Sequence, residues 1–272
     1  KEDATEFLGY ERERSQGLIT KIIKDGKYIE KLSQDEVGVI VMNQTCFYGE
    51  SGGQVGDQGQ IRGISGLGEV TDTKRVGQIF VHFVKVQKGY FEVGSNLEQL
   101  INTDLRLDIK RNHSGTHLVH EALRRIVGEH VAQRGSLNNA DRLRFDFSHD
   151  KPLTEEQIFL VEQLVNKHIR ENTPVITEIM QLESAKQQGA RALFGEKYGD
   201  DVRVVKMSPE DEGYFSIELC GGTHVNSTGD IGFLKIIGES ASSSGVRRLE
   251  AVTGKKVVDF IENIQVVNNR MS

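Results

Sequence analysis

A chain of 272 residues exceeds the usual single-domain size, so two domains or one large one are expected. With 37% hydrophobic and 27% charged residues the composition is ordinary for a globular protein. No apolar run approaches the ~20 residues of a membrane helix, so no membrane partner is expected. The net charge of −6 argues against a general nucleic-acid binder. It leaves room for a site that grips one RNA end through local arginines, and Arg111, Arg124, Arg125, Arg134, Arg142, Arg144, Arg247 and Arg248 are the candidates.

No signal or transit segment is apparent, and the first residue is Lys1, which suggests a piece of a longer polypeptide. Cys46 and Cys220 are the two cysteines. If Cys220 serves a metal, the other has no partner for a bridge, as expected in a reducing cytoplasm.

From about Gly17 to Lys110 the pattern is β, with short apolar runs at Leu18–Ile23, Val37–Met42, Ile79–Val86 and Leu105–Ile109 and no convincing helix. This predicts a β-barrel or sandwich over residues 1–110. A glycine-rich loop, Phe47–Asp57, interrupts it; such a loop can pass close to a ligand, or be an ordinary wide turn. Residues 111–272 read as an α+β domain. A helix capped by Asn112 runs to about Val127, and strands follow at His130–Ser136 and Arg142–Phe147. The capping box Thr154-Glu155-Glu156-Gln157 starts a helix to about Glu171. Beyond it lie a strand at Pro174–Met180, a short helix at Ser184–Gln188, and strands at Val202–Met207 and Tyr214–Leu219. Further strands at Gly232–Ile237 and Val246–Val252 flank a loop, Ser240–Gly245, and a helix from about Lys255 closes the chain. The order suggests a sheet layer with helices on one face.

His113 and His117 are four apart on a helix, about 6 Å apart at Cβ, and can serve one ion. Cys220-Gly221-Gly222-Thr223-His224 reads as a tight metal-binding turn. Neither pair is informative alone, but together they make a tetrahedral zinc set. Structural zinc favours Cys-rich sets in domains lacking a core, whereas this chain has ample core. A catalytic zinc lowers the pKa of its water to about 7, which suits hydrolysis of an activated carbonyl. His120 and His130 read as non-ligands, and His82, His149 and His168 as structural or exposed. Asp146 could orient a ligand histidine, although a surface acid is the simpler reading.

Seven segments, FYGESGGQVGD (47–57), RNHSGTHLVHEALR (111–124), VAQRGSL (131–137), RLRFDFS (142–148), ELCGGTH (218–224), TGDIG (228–232) and GVRRLEAVTG (245–254), together resemble the editing half of the bacterial alanyl-tRNA synthetase family. The likeness runs in order over nearly the whole chain. Cys46 departs from it, since the family often has Pro before this Phe-Tyr. The resemblance implies a β-barrel with an SGGQ loop followed by an α+β editing domain, and Zn2+ on His113, His117, Cys220 and His224. It implies hydrolysis of Ser and Gly esters on the 3′ end of alanine tRNA, and gives Gln133 a substrate contact. Without an ATP-binding core or a long C-terminal region, the chain is expected to edit and not to charge. Threonyl-tRNA synthetase carries a more distantly related domain.

Pocket energetics explain the need for such a site. An alanine pocket rejects glycine by only ~1–3 kcal/mol and excludes serine poorly. A second site with polar groups aimed at the serine hydroxyl would leave those groups unpaired with alanine. Gln133, then Thr116, are the candidates for that contact. Gly52, Gly53 and Gln54 would bring the loop near the RNA 3′ end, and Arg247 and Arg248 would meet phosphates. The alternatives are a stand-alone trans-editing deacylase, a non-catalytic zinc-stapled tRNA-docking module, or a peptidase-like hydrolase. The last is disfavoured because His113-Ser114-Gly115-Thr116-His117 lacks the Glu of H-E-x-x-H.

Overall fold

Six antiparallel strands close on themselves in the first part of the chain. The computed structural model describes residues 4–192 and 199–271. Its barrel strands are β1 (Arg14–Lys24), β2 (Val37–Met42), β3 (Gly59–Arg62), β4 (Gly66–Val76), β5 (Ile79–Glu92) and β6 (Asn96–Ile101). They pair in the ring β6-β3-β4-β5-β2-β1 and back to β6. Alternation along the strands, shifted in β1 by a bulge between Ile19 and Lys21, puts Ile19, Ile22, Ile40, Val84 and Leu97 inside. Ring closure leaves no free edge among the six.

The barrel interior also holds polar groups, each with a partner. Gln99 Oε1 accepts from Ser15 Oγ and the Cys46 amide, both at 3.1 Å, and its Nε2 donates to the Gln44 carbonyl at 2.9 Å. His82, fully buried, reaches the Ile40 carbonyl with Nδ1 (3.0 Å) and Thr45 Oγ1 with Nε2 (2.8 Å), so its role is structural. Burial pushes its pKa down to about 4.

Arg106 and Asp57 form a buried ion pair, 1% and 2% exposed. Arg106 also donates to the carbonyls of Gly9 and Cys46, each at 2.7 Å. Asp57 Oδ2 accepts from the Tyr48 amide at 2.7 Å. One guanidinium thus ties together both ends of the loop 47–57 and the N-terminal segment.

The apolar run Leu105–Ile109 is helical, not a strand: α1 spans Thr103–Ile126. Leu105, Leu107 and Ile109 alternate with polar residues and imitate a strand. The cap is Asn102, whose Oδ1 accepts from the Leu105 amide at 3.2 Å, with Asp104 favourable in the first turn. Asn112 is therefore not the N-cap. It lies buried in mid-helix, donating to Asn139 O (2.7 Å) and accepting from Thr253 Oγ1 (2.7 Å).

The remaining elements are β7 (Gln133–Asn138), β8 (Leu143–Ser148), α2 (Glu155–Glu171), β9 (Ile176–Gln181), α3 (Leu182–Gln187), β10 (Asp201–Pro209), β11 (Tyr214–Leu219), β12 (Leu234–Ser243), β13 (Val246–Thr253) and α4 (Lys255–Met271). The fold is mixed α+β. β7-β8-β13-β12 form one antiparallel sheet and β9-β10-β11 a second. The expected loop at Ser240–Gly245 is mostly strand. β12 continues to Ser243 and turns through Ser244-Gly245, where Gly245 takes φ +70° as a tight hairpin requires.

Leu118 and Ala122 from α1, Val161 and Val165 from α2, and Phe145, Leu249 and Ala251 from the four-stranded sheet share one core. The Thr154 capping box starts α2. From α2, Asn166 exchanges hydrogen bonds with the Leu234 backbone (2.8 and 2.9 Å), and Glu162 accepts from the Ile236 amide (2.8 Å). Those contacts cover the outer edge of β12, which would otherwise expose backbone groups.

By compactness the chain divides into two units, 1–51 with 55–106, and 107–272 with 52–54. The cluster described next belongs to the second.

Candidate metal centre

α1 delivers His113 and His117 one turn apart, and the end of β11 delivers the Cys220–His224 turn. Ligand atoms of His113, His117, Cys220 and His224 all lie within 4.8 Å of one another, and all four residues are buried. Cys220 Sγ is 3.4 Å from Nε2 of both His113 and His224. The three rings cluster at an angle to one another, with centroids 4.4–5.3 Å apart.

Each imidazole is approached at Nδ1 by a different group. His113 Nδ1 donates to Gln54 Oε1 at 2.8 Å. His224 Nδ1 lies 3.0 Å from Ser114 Oγ, and His117 Nδ1 lies 3.1 Å from Glu218 Oε2. With Nδ1 protonated, Nε2 is left as the donor facing the cluster. Burial holds His113, His117 and His224 below the ordinary imidazole range, so all three imidazoles are neutral. Burial opposes charge at Glu218, but the hydrogen bond from His120 and the nearby Arg191 cation favour the carboxylate, which stays below its usual range. This donor set, with imidazole nitrogens and one thiol converging in a dry site, could hold a metal ion.

Gln54 is fully buried. Besides His113 its Oε1 accepts from the Thr223 amide, and its Nε2 donates to Thr223 Oγ1, all at 2.8 Å. The amide proton of Thr223 fixes which end of the Gln54 side chain faces His113. So Gln54 orients His113 and the turn at Thr223, whereas Gly52 is exposed and Gly53 half-buried. Gly53 has φ +83°, and a side chain there would overlap Ser136.

Gln133 is half-buried and donates through Nε2 to Ser136 Oγ at 3.3 Å. Ser136 is the residue packed on Gly53, so Gln133 lies one side chain away from the Gln54–His113 contact. Thr116 is buried, its hydroxyl between Asn112 O (2.9 Å) and Asn138 Oδ1 (2.6 Å).

The arginines are mostly engaged with acids. Arg247 grips Glu239 (2.5 and 2.7 Å) and Arg248 grips Asp146 (2.7 and 2.9 Å). Asp146 thus pairs with Arg248, directly across the strands from it, and serves no ligand histidine. Arg125 holds Glu121 and Glu210, Arg111 holds Asp108, and Arg142 holds Glu250. Arg144 lies 3.7 Å from Asp146, and Arg124 donates to backbone carbonyls near the end of α1. His130 and His149 stack on each other, and His168 bonds Glu171 at 2.9 Å.

Sequence reading missed Ser114, Glu218 and Arg203. Arg203 Nη1 donates to the carbonyls of Cys220 (2.9 Å) and Gly222 (2.8 Å), and so clamps the ligand turn. Glu218 carried a usable signal, since strand alternation puts it on the same side as Cys220. Gly222 is required by space, because a Cβ there would overlap the His113 ring. Gly222→Ala is expected to lower metal content after gel filtration to under about a tenth of wild type, as displacing a ligand should cost more than disturbing its outer partner. Wild-type content in that variant would contradict the geometry.

Among the described residues no helix is long and apolar enough to cross a membrane. A family profile for "tRNA synthetases class II (A)" matches residues 1–105, and one for the "Threonyl and Alanyl tRNA synthetase second additional domain" matches residues 202–250. Alanine–tRNA ligase of Paracoccus denitrificans (strain Pd 1222) is 51% identical over 268 residues, covering 96% of this chain and 30% of the relative. Those of Chelativorans sp. (strain BNC1) and Ruegeria sp. (strain TM1040) are also 51% identical, over 265 and 267 residues. The chain spans about 30% of the length of the curated relatives it matches. With that identity sustained along nearly all of it, the chain belongs to the alanyl-tRNA synthetase family and corresponds to the part carrying the second additional domain.

Proposed function

We propose that this chain is the editing part of an alanyl-tRNA synthetase, hydrolysing serine and glycine wrongly esterified to alanine tRNA, with zinc on His113, His117, Cys220 and His224. The observation that carries the reading is the convergence of these four donors within 4.8 Å in a buried site. Zinc bonds to nitrogen at about 2.0–2.1 Å and to sulfur at about 2.3 Å, so a tetrahedral ion needs N···S edges of about 3.5 Å. The two Cys220 Sγ to Nε2 distances are 3.4 Å. When bound, zinc supplies Lewis-acid chemistry.

The chain's own residues do the rest. Gln54, Ser114 and Glu218 hold the imidazoles in the ligating tautomer. Gln133, backed by Ser136, offers an amide to the hydroxyl of a seryl ester, a contact that an alanyl ester cannot return. Gly52 and Gly53 line the approach for the RNA 3′ end. Arg247 and Arg248 would have to exchange carboxylate for phosphate to grip RNA, which makes them secondary contributors. Neither Cys46 nor Cys220 is in a disulfide.

The test incubates the chain with alanine tRNA carrying either Ser or Ala. Faster loss of serine, by at least about tenfold as one lost hydrogen bond in a built site implies, is the expected result. RNA binding with both esters intact would leave a docking module and remove the hydrolase.

A further inference from the structure

We propose that Glu218 is the positioning residue of the metal centre, its carboxylate bridging the ligand His117 and the non-ligand His120. The inference rests on the metal reading above. Glu218 is 2% exposed, and a carboxylate that deep is tolerated only with good partners. Its two oxygens address two imidazoles on one face of α1. Oε2 lies 3.1 Å from His117 Nδ1, and Oε1 lies 2.5 Å from His120 Nδ1.

A carboxylate only accepts, so the proton of each ring belongs on Nδ1 and His117 presents its Nε2 lone pair to the cluster. At His117 the contact is an ion-pair distance without hydrogen-bond alignment, whereas at His120 it is a hydrogen bond. His120 in turn packs against Phe145, with centroids 5.1 Å apart, so the far end of the bridge is anchored in the core. The strand end that carries Glu218 is pinned. Leu219 donates to the Arg191 carbonyl at 2.8 Å, and Cys220 donates to the Arg203 carbonyl at 3.0 Å.

Charge points the same way. Were a divalent ion held by three imidazoles and a Cys220 thiolate, the Glu218 carboxylate behind His117 would bring a second negative charge close to it. A carboxylate behind a ligating histidine is the usual outer support of such centres.

The experiment measures zinc affinity of the whole chain by competition with a chromophoric chelator, and the visible bands of the cobalt(II)-loaded protein. Wild type, Glu218→Ala and Glu218→Gln are compared, with circular dichroism to confirm folding. Glu218→Ala is expected to bind zinc about 10- to 100-fold more weakly and to change the cobalt bands. A folded Glu218→Ala with wild-type affinity and an unchanged cobalt spectrum overturns the proposal. Should Glu218→Ala not fold, Glu218→Gln decides, since it keeps the shape and loses the charge. There, weaker zinc binding supports the bridge and unchanged binding overturns it. Failure of the wild type to bind either ion would instead remove the metal reading itself.

Discussion

Replacing Cys220 by alanine is expected to strip the chain of zinc and of serine-ester hydrolysis together. Its Sγ stands 3.4 Å from two of the three imidazole donors, and it supplies the set's only anion. Losing an outer partner of a ligand costs about 10- to 100-fold in metal affinity, and losing the thiolate itself should cost more than about 100-fold. The fold should survive. Arg203 clamps the turn through the carbonyls of Cys220 and Gly222, and those bonds do not involve the side chain that is changed. Metal analysis after gel filtration, run beside a deacylation assay on the same sample, checks both halves. Full hydrolysis by a zinc-free variant would refute the metal's role in the chemistry.

Arg106→Met is expected to destabilise the barrel by on the order of 3–5 kcal/mol, out of a total that for a domain is only about 5–15 kcal/mol. The substitution leaves Asp57 charged, 2% exposed and without its guanidinium, and it orphans the carbonyls of Gly9 and Cys46. Adding Asp57→Asn should recover part of the loss, because the remaining buried group is then neutral and can still accept from the Tyr48 amide. The chain has no tryptophan, so urea unfolding is best followed by far-ultraviolet circular dichroism. A single variant as stable as wild type, or a double variant less stable than the single one, would contradict this account of the pair.

Much of the architecture was legible in local pattern. Alternating apolar runs pointed to the barrel, and the Thr154 capping box marked the start of α2. The i, i+4 histidines and the Cys-x-x-x-His turn were visible as spacings, and the structure brings them within 4.8 Å. What local pattern hid has a physical reason in each case. The first turns of α1 carry Leu105, Leu107 and Ile109 at strand period, and only the Asn102 cap reveals the helix. Asn112 resembles a cap by type, yet its amide is needed in the interior, where Asn139 and Thr253 meet it.

The partners of the imidazoles were hidden for a different reason. Gln54 meets Thr223 across 169 positions of sequence, and Glu218 meets His120 across 98. No periodicity reports contacts so remote. Gln54 therefore looked like a loop residue free for RNA, when the fold had committed it to His113. Arg247 and Arg248 looked like free cations for the same reason, since their acids sit on neighbouring strands.

The most direct measurement is X-ray absorption at the zinc edge of the zinc-loaded chain. The account predicts one ion per chain with three nitrogen neighbours at about 2.0–2.1 Å and one sulfur at about 2.3 Å. A first shell of oxygen and nitrogen with no sulfur, or binding far below one ion per chain, would contradict it.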